Sequence, residues 1–165
     1  MEKRFYSYND IHRTVKILAD KVMASPLKPE FMIAIGGGGF IPARILRTYL
    51  DIPIFTVNIV LYEGKQTGEK GPQITQWLDK PDELLENRRV LIVDEVDDSG
   101  ATVAFCKEHL SQHNPSEIGL AVLHRKNKPK KVELPQLVEH YFCGEELGDE
   151  WICYPWDALD IDNRN

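Results

Sequence analysis

Val90-Leu91-Ile92-Val93 is a short, wholly apolar run, and four carboxylates, Asp94, Glu95, Asp97 and Asp98, follow it within five positions. An apolar run of this kind reads as a strand buried on both faces of a parallel sheet. Directly after the acids, Ser99-Gly100-Ala101-Thr102 opens a segment that reads as a helix through about His113. Like charges this close repel, and burying them uncompensated is costly. The strand end therefore calls for compensation, from the hydroxyls of a diol or from a bound Mg²⁺. A solvated acidic turn is the competing reading, disfavoured because the run abuts a buried strand. Ser99, Gly100 and Thr102, with consecutive N–H groups at a helix start, suit a phosphate monoester. An ordinary Ser/Thr helix cap would use the same residues.

The rest of the chain alternates strands and helices around this segment. Ser7-Tyr8-Asn9-Asp10 matches a helix start, and Ile11, Val15, Leu18 and Val22 recur on one helical face until Pro26 and Pro29 end the pattern. Phe31 to Ile35 reads as a second buried strand, Phe40 to Leu50 as a helix with Pro42 in its first turn, and Ile54 to Leu61 as another β-rich run. Tyr62 to Gln76 is polar and carries Gly64, Gly68, Gly71 and Pro72, so it is expected to be a long loop, either a lid or disordered. A short helix over Pro81 to Asn87, a strand over Ile118 to Leu123, a basic loop over His124 to Lys131 and a last strand at Tyr141-Phe142 complete the reading. Such alternation implies an α/β fold, a parallel twisted sheet flanked by helices with right-handed crossovers. Ligands of such sheets sit at the carboxyl ends of the strands, where both unusual loops fall.

The second unusual loop is Gly36-Gly37-Gly38-Gly39, between the Phe31–Ile35 run and the Phe40–Leu50 helix. Backbone N–H groups without side chains let an anion approach closely, and the helix adds its positive end. Tight strand–helix packing is the alternative use of these glycines. The dinucleotide pattern G-x-G-x-x-G is not met, because Ile41 and Pro42 stand where its last glycine belongs. No G-x-S-x-G or H-E-x-x-H supports a hydrolase. His109 and His113, four apart, read as an exposed helix face, since no third metal ligand accompanies them. With 165 residues and a formal charge of −6, the chain suits one domain and is a poor binder of nucleic acid or membranes. Cys106, Cys143 and Cys153 form no C-x-x-C pair and are expected to be reduced thiols in a cytoplasmic protein.

Two phosphate loops flanking an acidic hinge imply a ligand with phosphates at two ends and a diol between them, as in 5-phosphoribosyl-1-pyrophosphate. The segment Val90 to Thr102 resembles the phosphoribosyl-pyrophosphate signature of type I phosphoribosyltransferases: four apolar residues, two acids, two residues, then Asp-Thr/Ser-Gly-x-Thr. Ile33 to Arg44 resembles the pyrophosphate loop of the purine-salvage branch, and Trp151-Ile152-Cys153-Tyr154-Pro155-Trp156-Asp157 is similar to the purine-binding hood segment of xanthine-guanine enzymes.

The resemblance implies a type I phosphoribosyltransferase fold in one domain over residues 1–165, with hood elements near 1–10 and 140–165 and a flexible lid near 62–76. It implies a Mg²⁺-dependent purine-salvage enzyme that transfers 5-phosphoribose to N9 of hypoxanthine, guanine or xanthine. Gly36, Gly37, Gly38 and Gly39 would hold pyrophosphate. Many relatives carry Lys or Arg in this loop, so compensation here would come from Mg²⁺, Arg44 or a neighbouring subunit. Asp94 and Glu95 would hold the ribose hydroxyls and the metal, with Asp157 a weaker metal contact. Asp98, Ser99, Gly100, Ala101 and Thr102 would bind the 5′-phosphate end, with Asp98 as the catalytic base. Lys126, Trp151 and the backbone of Ile152 would bind the purine, although Trp151 also fits a core aromatic and Lys128, Lys130 and Lys131 a solvated loop. The implied assembly is a homodimer or homotetramer. The alternatives are a non-catalytic regulator sensing the same activated sugar, or transfer to another base.

Overall fold

The structure is a computed structural model describing residues 1–63 and 70–164. Ser7 caps helix α1 (Tyr8–Ala24): its hydroxyl accepts from the Asp10 N–H while the Asp10 carboxylate accepts from the Ser7 N–H. These reciprocal bonds satisfy backbone donors that the first turn leaves free. Ile11, Val15, Leu18 and Val22 are buried along one face of α1, each removal from water contributing about 1.5–3 kcal/mol.

The strands are β1 (Lys3–Phe5), β2 (Phe31–Gly36), β3 (Ile54–Glu63), β4 (Lys70–Gln76), β5 (Arg89–Asp97), β6 (Glu117–Lys126), β7 (His140–Leu147) and β8 (Trp151–Cys153). Helices α2 (Phe40–Leu50), α3 (Pro81–Leu85) and α4 (Ala101–Ser111) connect them. The main sheet runs β4-β3-β2-β5-β6-β7, parallel throughout except for the antiparallel β3–β4 pair. The wholly apolar runs follow from this layering. Leu91 and Val93 of β5 join Met32, Ala34, Leu18 and Leu46 in the core cluster holding α1 and α2. Val90 and Ile92 join Ile33, Val103, Cys106 and Leu110 in the cluster holding α4. Alternate residues of Val90–Val93 thus enter opposite cores, so no position of that run is left for a polar side chain.

Several elements differ from the sequence reading. The segment expected to be a loop over Tyr62–Gln76 is largely an antiparallel arm, since β3 continues to Glu63 and β4 pairs back along it from Lys70. Gln73, Ile74 and the residues around them gain backbone partners from β3 that composition does not reveal; Gly64 and Gly68 lie outside the described residues. β5 and β6 each run beyond the apolar stretch, because Asp94 pairs with Val122 and Asp97 with Arg125. Asp94 and Asp97 are therefore strand residues, and His124, Arg125 and Lys126 belong to β6 rather than to a loop.

The last strand is not at Tyr141-Phe142, since β8 follows β7. It pairs in parallel with β1 in a separate two-stranded sheet, with Lys3 opposite Trp151 and Phe5 opposite Cys153. A polar cluster fastens this small sheet to the main one. Arg4 pairs with Glu145 at 2.6 Å, and the Tyr6 hydroxyl donates to the same carboxylate at 2.9 Å. The Tyr154 hydroxyl donates to the Glu95 carbonyl at 3.2 Å and receives the Nδ1–H of buried His124 at 2.8 Å. No helix among the described residues is long and apolar enough to cross a membrane.

Candidate active site

β2 and β5 lie side by side with Ala34 opposite Val93, so the loops after them emerge together at one edge of the sheet. The four glycines after β2 divide their duties. A Cβ on Gly39 would stand 2.4 Å from the Val93 carbonyl oxygen and 2.8 Å from that of Ile35, so packing alone demands glycine there. A Cβ on Gly37 would meet nothing within 4 Å, and this glycine is not required for packing. At Gly38 a Cβ would fall on the Glu95 carboxylate, which rests directly against the loop. The peptide between Gly36 and Gly37 is cis. No side chain caps the first turn of α2, whose N-cap is Gly39. Arg44 is exposed and donates to Thr48, one turn further along α2, away from this loop.

After β5 the chain turns through Gly100 at φ +79°, where a Cβ would stand 2.7 Å from the Val132 carbonyl oxygen. Only glycine accepts this conformation and approach cheaply. Ser99 plays part of the capping role, its hydroxyl accepting from the Ala101 N–H at 3.3 Å, and Gly100 as N-cap offers α4 no side chain of its own. A cavity of about 200 Å³ opens here, lined by Asp94, Glu95, Asp98, Ser99, Gly100 and Thr102 among others. A larger hollow of about 260 Å³ lies between α1 and α2, but Val22, Met23, Leu50 and Ile52 dominate its walls and it holds no reactive cluster.

The four acids separate into distinct environments. Asp94 is nearly buried, and burial, reinforced by Glu95, pushes its carboxyl well above the usual range. Asp97 is 0% exposed and turns away from the cavity. Its oxygens meet the Lys130 ammonium at 2.8 Å and the Tyr141 hydroxyl at 2.7 Å. Lys130, at 1% side-chain exposure, is therefore no solvated lysine, because it neutralises a buried carboxylate 33 residues away. Asp98 is 45% exposed and faces Lys128 at 2.7 Å and Lys126 at 3.5 Å. Burial raises the Asp98 pKa, but the two lysines outweigh it and hold the carboxyl below its ordinary value. Lys128, though partly exposed, is also engaged, since it pairs with Asp149 at 2.8 Å as well as with Asp98.

Lys126 is buried at the end of β6 beside Asp98, as a strand-end site residue requires. Trp151 is 57% exposed on β8, so it is not a core aromatic, and Ile152 beside it is half-buried. Asp157 is exposed in a short turn, Pro155–Asp157, and among the described residues no hydrogen bond or ion pair joins it to Asp94 or Glu95. His109 packs on Phe105 and Trp77 while His113 pairs with Asp82, so the two do not share a ligand. No group of three or more His, Cys, Asp or Glu side chains poised for a metal occurs among the described residues. The three cysteines are free thiols.

Comparison with known proteins adds relatives to this geometry. The phosphoribosyl transferase domain matches residues 6–146. The hypoxanthine-guanine phosphoribosyltransferase of Saccharomyces cerevisiae is 36% identical, the match covering 97% of this chain and 88% of that protein. The protein of the same name from Schizosaccharomyces pombe is 38% identical over 98% of this chain and 92% of its own length. Among solved structures, a hypothetical protein from Neisseria gonorrhoeae with bound ppGpp superposes with a TM-score of 0.89 at 47% identity, covering 98% of this chain and 92% of that one.

Proposed function

The chain belongs to the phosphoribosyl transferase family, and from that premise we propose that it is a purine-salvage enzyme transferring 5-phosphoribose from 5-phosphoribosyl-1-pyrophosphate to N9 of hypoxanthine, guanine or xanthine. The observation carrying this reading is that two glycine-bearing loops, which we read as phosphate cradles, follow the adjacent parallel strands β2 and β5, with Asp98 and Lys126 side by side beyond them.

Ser99, Gly100, Ala101 and Thr102 hold the 5′-phosphate at the start of α4, whose N–H groups and positive end favour an anion. Gly36, Gly37, Gly38 and Gly39 hold the pyrophosphate in the same way at the start of α2. Asp94 and Glu95 take the ribose hydroxyls and fit a divalent cation, since adjacent carboxylates, one nearly buried and reluctant to ionise, are stabilised by one. Mg²⁺ held there would offset the charge that develops on the leaving pyrophosphate. Asp157 would be a weaker further carboxylate contact for it.

Asp98, ionised beside its lysines, faces N7 of the base and accepts that proton while the N9–C1′ bond forms and the bond from C1′ to pyrophosphate breaks. The Lys126 ammonium donates to O6. Trp151 offers a stacking face, and the backbone of Ile152 meets the far edge of the ring. The β3–β4 arm closes over the reacting atoms and excludes water. Exposed Phe40, Phe55 and Leu61 offer apolar surface that a second copy would cover in a homodimer or homotetramer, which light scattering checks. The enzyme acts in the cytoplasm.

The bound ppGpp of the Neisseria gonorrhoeae neighbour favours a second occupant of the same cleft. A guanine nucleotide phosphorylated at both ends of its ribose presents the groups that the two cradles and Lys126 take, so it would compete with the activated sugar. Incubation with 5-phosphoribosyl-1-pyrophosphate, Mg²⁺ and, separately, hypoxanthine, guanine, xanthine and adenine tests the main reading. Nucleotide forms with one or more of the three 6-oxopurines; formation with none of them refutes it.

A further inference from the structure

Lys128, in the turn after β6, has no part in the roles above, yet its ammonium lies 2.7 Å from Oδ1 of Asp98 and 2.8 Å from Oδ1 of Asp149. Lys126 reaches the same two carboxylates less closely, at 3.5 and 3.9 Å. Asp149 sits in the turn between β7 and β8, immediately before the hood strand that carries Trp151. On the phosphoribosyltransferase reading, we propose that Lys128 is a positioning residue: it bridges Asp98 to Asp149 and so fixes the base-facing carboxylate against the turn that leads into the purine hood.

Asp98 needs such a brace. It follows β5 directly and precedes the left-handed turn at Gly100, so its backbone is set, but its half-exposed side chain is free to rotate unless something holds it. The Lys126 ammonium stands 3.5 Å from the carboxylate, whereas Lys128 is in direct ion-pair contact with it at 2.7 Å and is itself anchored by donating a hydrogen bond to Asp149 at 2.8 Å. The charged groups facing Asp98 are Lys126 from β6, Lys128 from the turn after it and Asp149 from the β7–β8 turn; Asp97 faces away, toward Lys130. Lys128 is thus one of two cations opposing the burial that would otherwise raise the Asp98 pKa. Without Lys128, the burial of Asp98 acts against Lys126 alone. The base then protonates at higher pH and loses its fixed direction.

The test is Lys128→Met and Lys128→Arg in the full chain, assayed with the activated sugar, Mg²⁺ and hypoxanthine across the acidic range. Lys128→Met lowers kcat roughly tenfold, a part of what a general base contributes. It leaves the KM for the activated sugar within about twofold and moves the acidic limb of kcat/KM to higher pH. Lys128→Arg restores the wild-type limb. An unmoved limb in Lys128→Met, an arginine variant that behaves like methionine, or a loss that falls on the KM of the sugar overturns the bridge. Carboxyl ¹³C titration of Asp98 reads the same contact without substrate. If the wild type forms no nucleotide, the enzymatic reading fails, yet an Asp98 titration displaced upward in Lys128→Met still upholds the bridge. An undisplaced titration in an active enzyme removes the bridge and leaves the activity standing.

Discussion

Asp98, Gly38 and Gly100 each carry a separable consequence at the scale of single residues. Asp98→Asn keeps the size of the side chain and the fold but removes the base, and turnover is expected to fall by about 10²–10⁴ while the lost ion pairs lower the melting temperature only modestly; undiminished kcat would take Asp98 out of its role. Gly38→Ala places a methyl group where the Glu95 carboxylate rests. A flexible side chain can move aside, so stability changes little while the KM for the activated sugar rises; an unchanged KM would show that Glu95 does not need that position. Gly100→Ala is different, because both φ +79° and the Val132 carbonyl at 2.7 Å are backbone constraints. Strain of this kind costs about 1–3 kcal/mol, so urea unfolding should show a loss of that order, and wild-type stability would contradict the geometry.

Among the elements, β5 was the most legible and the most misread. Val90–Val93 and the helix start after Gly100 are local patterns, as is the capping box at Ser7, and the structure keeps all of them. The continuation of β5 through Asp97 depends on β6, and the use of Asp97 depends on Lys130. Pairing across such separation leaves no local trace, which is why Lys130 read as a solvated lysine. For the same reason β1 went unseen: Lys3-Arg4-Phe5 is exposed along its length and becomes a strand only through Trp151–Cys153 at the far end of the chain. Of the site, the glycine loop, the acids and Ser99–Thr102 could be read from contiguous residues, whereas the lysine–carboxylate lattice around Asp98 could not. The junction of the two sheets carries a pH signature. Burial, with a smaller effect from Arg4, lowers the His124 pKa from 6.5 to about 4. Between these values the unfolded chain binds the proton and the native protein does not, so stability falls on acidification from pH 6.5 to about 4, by about 3 kcal/mol in all. Below about pH 4 this contribution to the slope ends. His124→Gln should flatten the decline in that window, measured by urea unfolding; an unaltered pH profile would contradict a buried neutral His124.

At the scale of the whole molecule, a chain of formal charge −6 is proposed to take up a polyanionic sugar. Its general field opposes that approach, so attraction must be local: two helix starts and a divalent cation on Asp94 and Glu95. The four-glycine loop adds no side-chain cation, and Arg44 points elsewhere, which throws more of the compensation onto the metal. Binding of the activated sugar is therefore expected to collapse when a chelator removes the divalent ion. The two cores on either side of the sheet make the platform rigid, and they bring the loops after β2 and β5 to one edge. The central claim is that this edge grips one sugar by both of its phosphorylated ends. Isothermal titration of the protein with 5-phosphoribosyl-1-pyrophosphate and Mg²⁺ tests it most directly: the account predicts saturable binding of one molecule per chain that is abolished by chelation, and an absence of heat and of saturation with the metal present would contradict it.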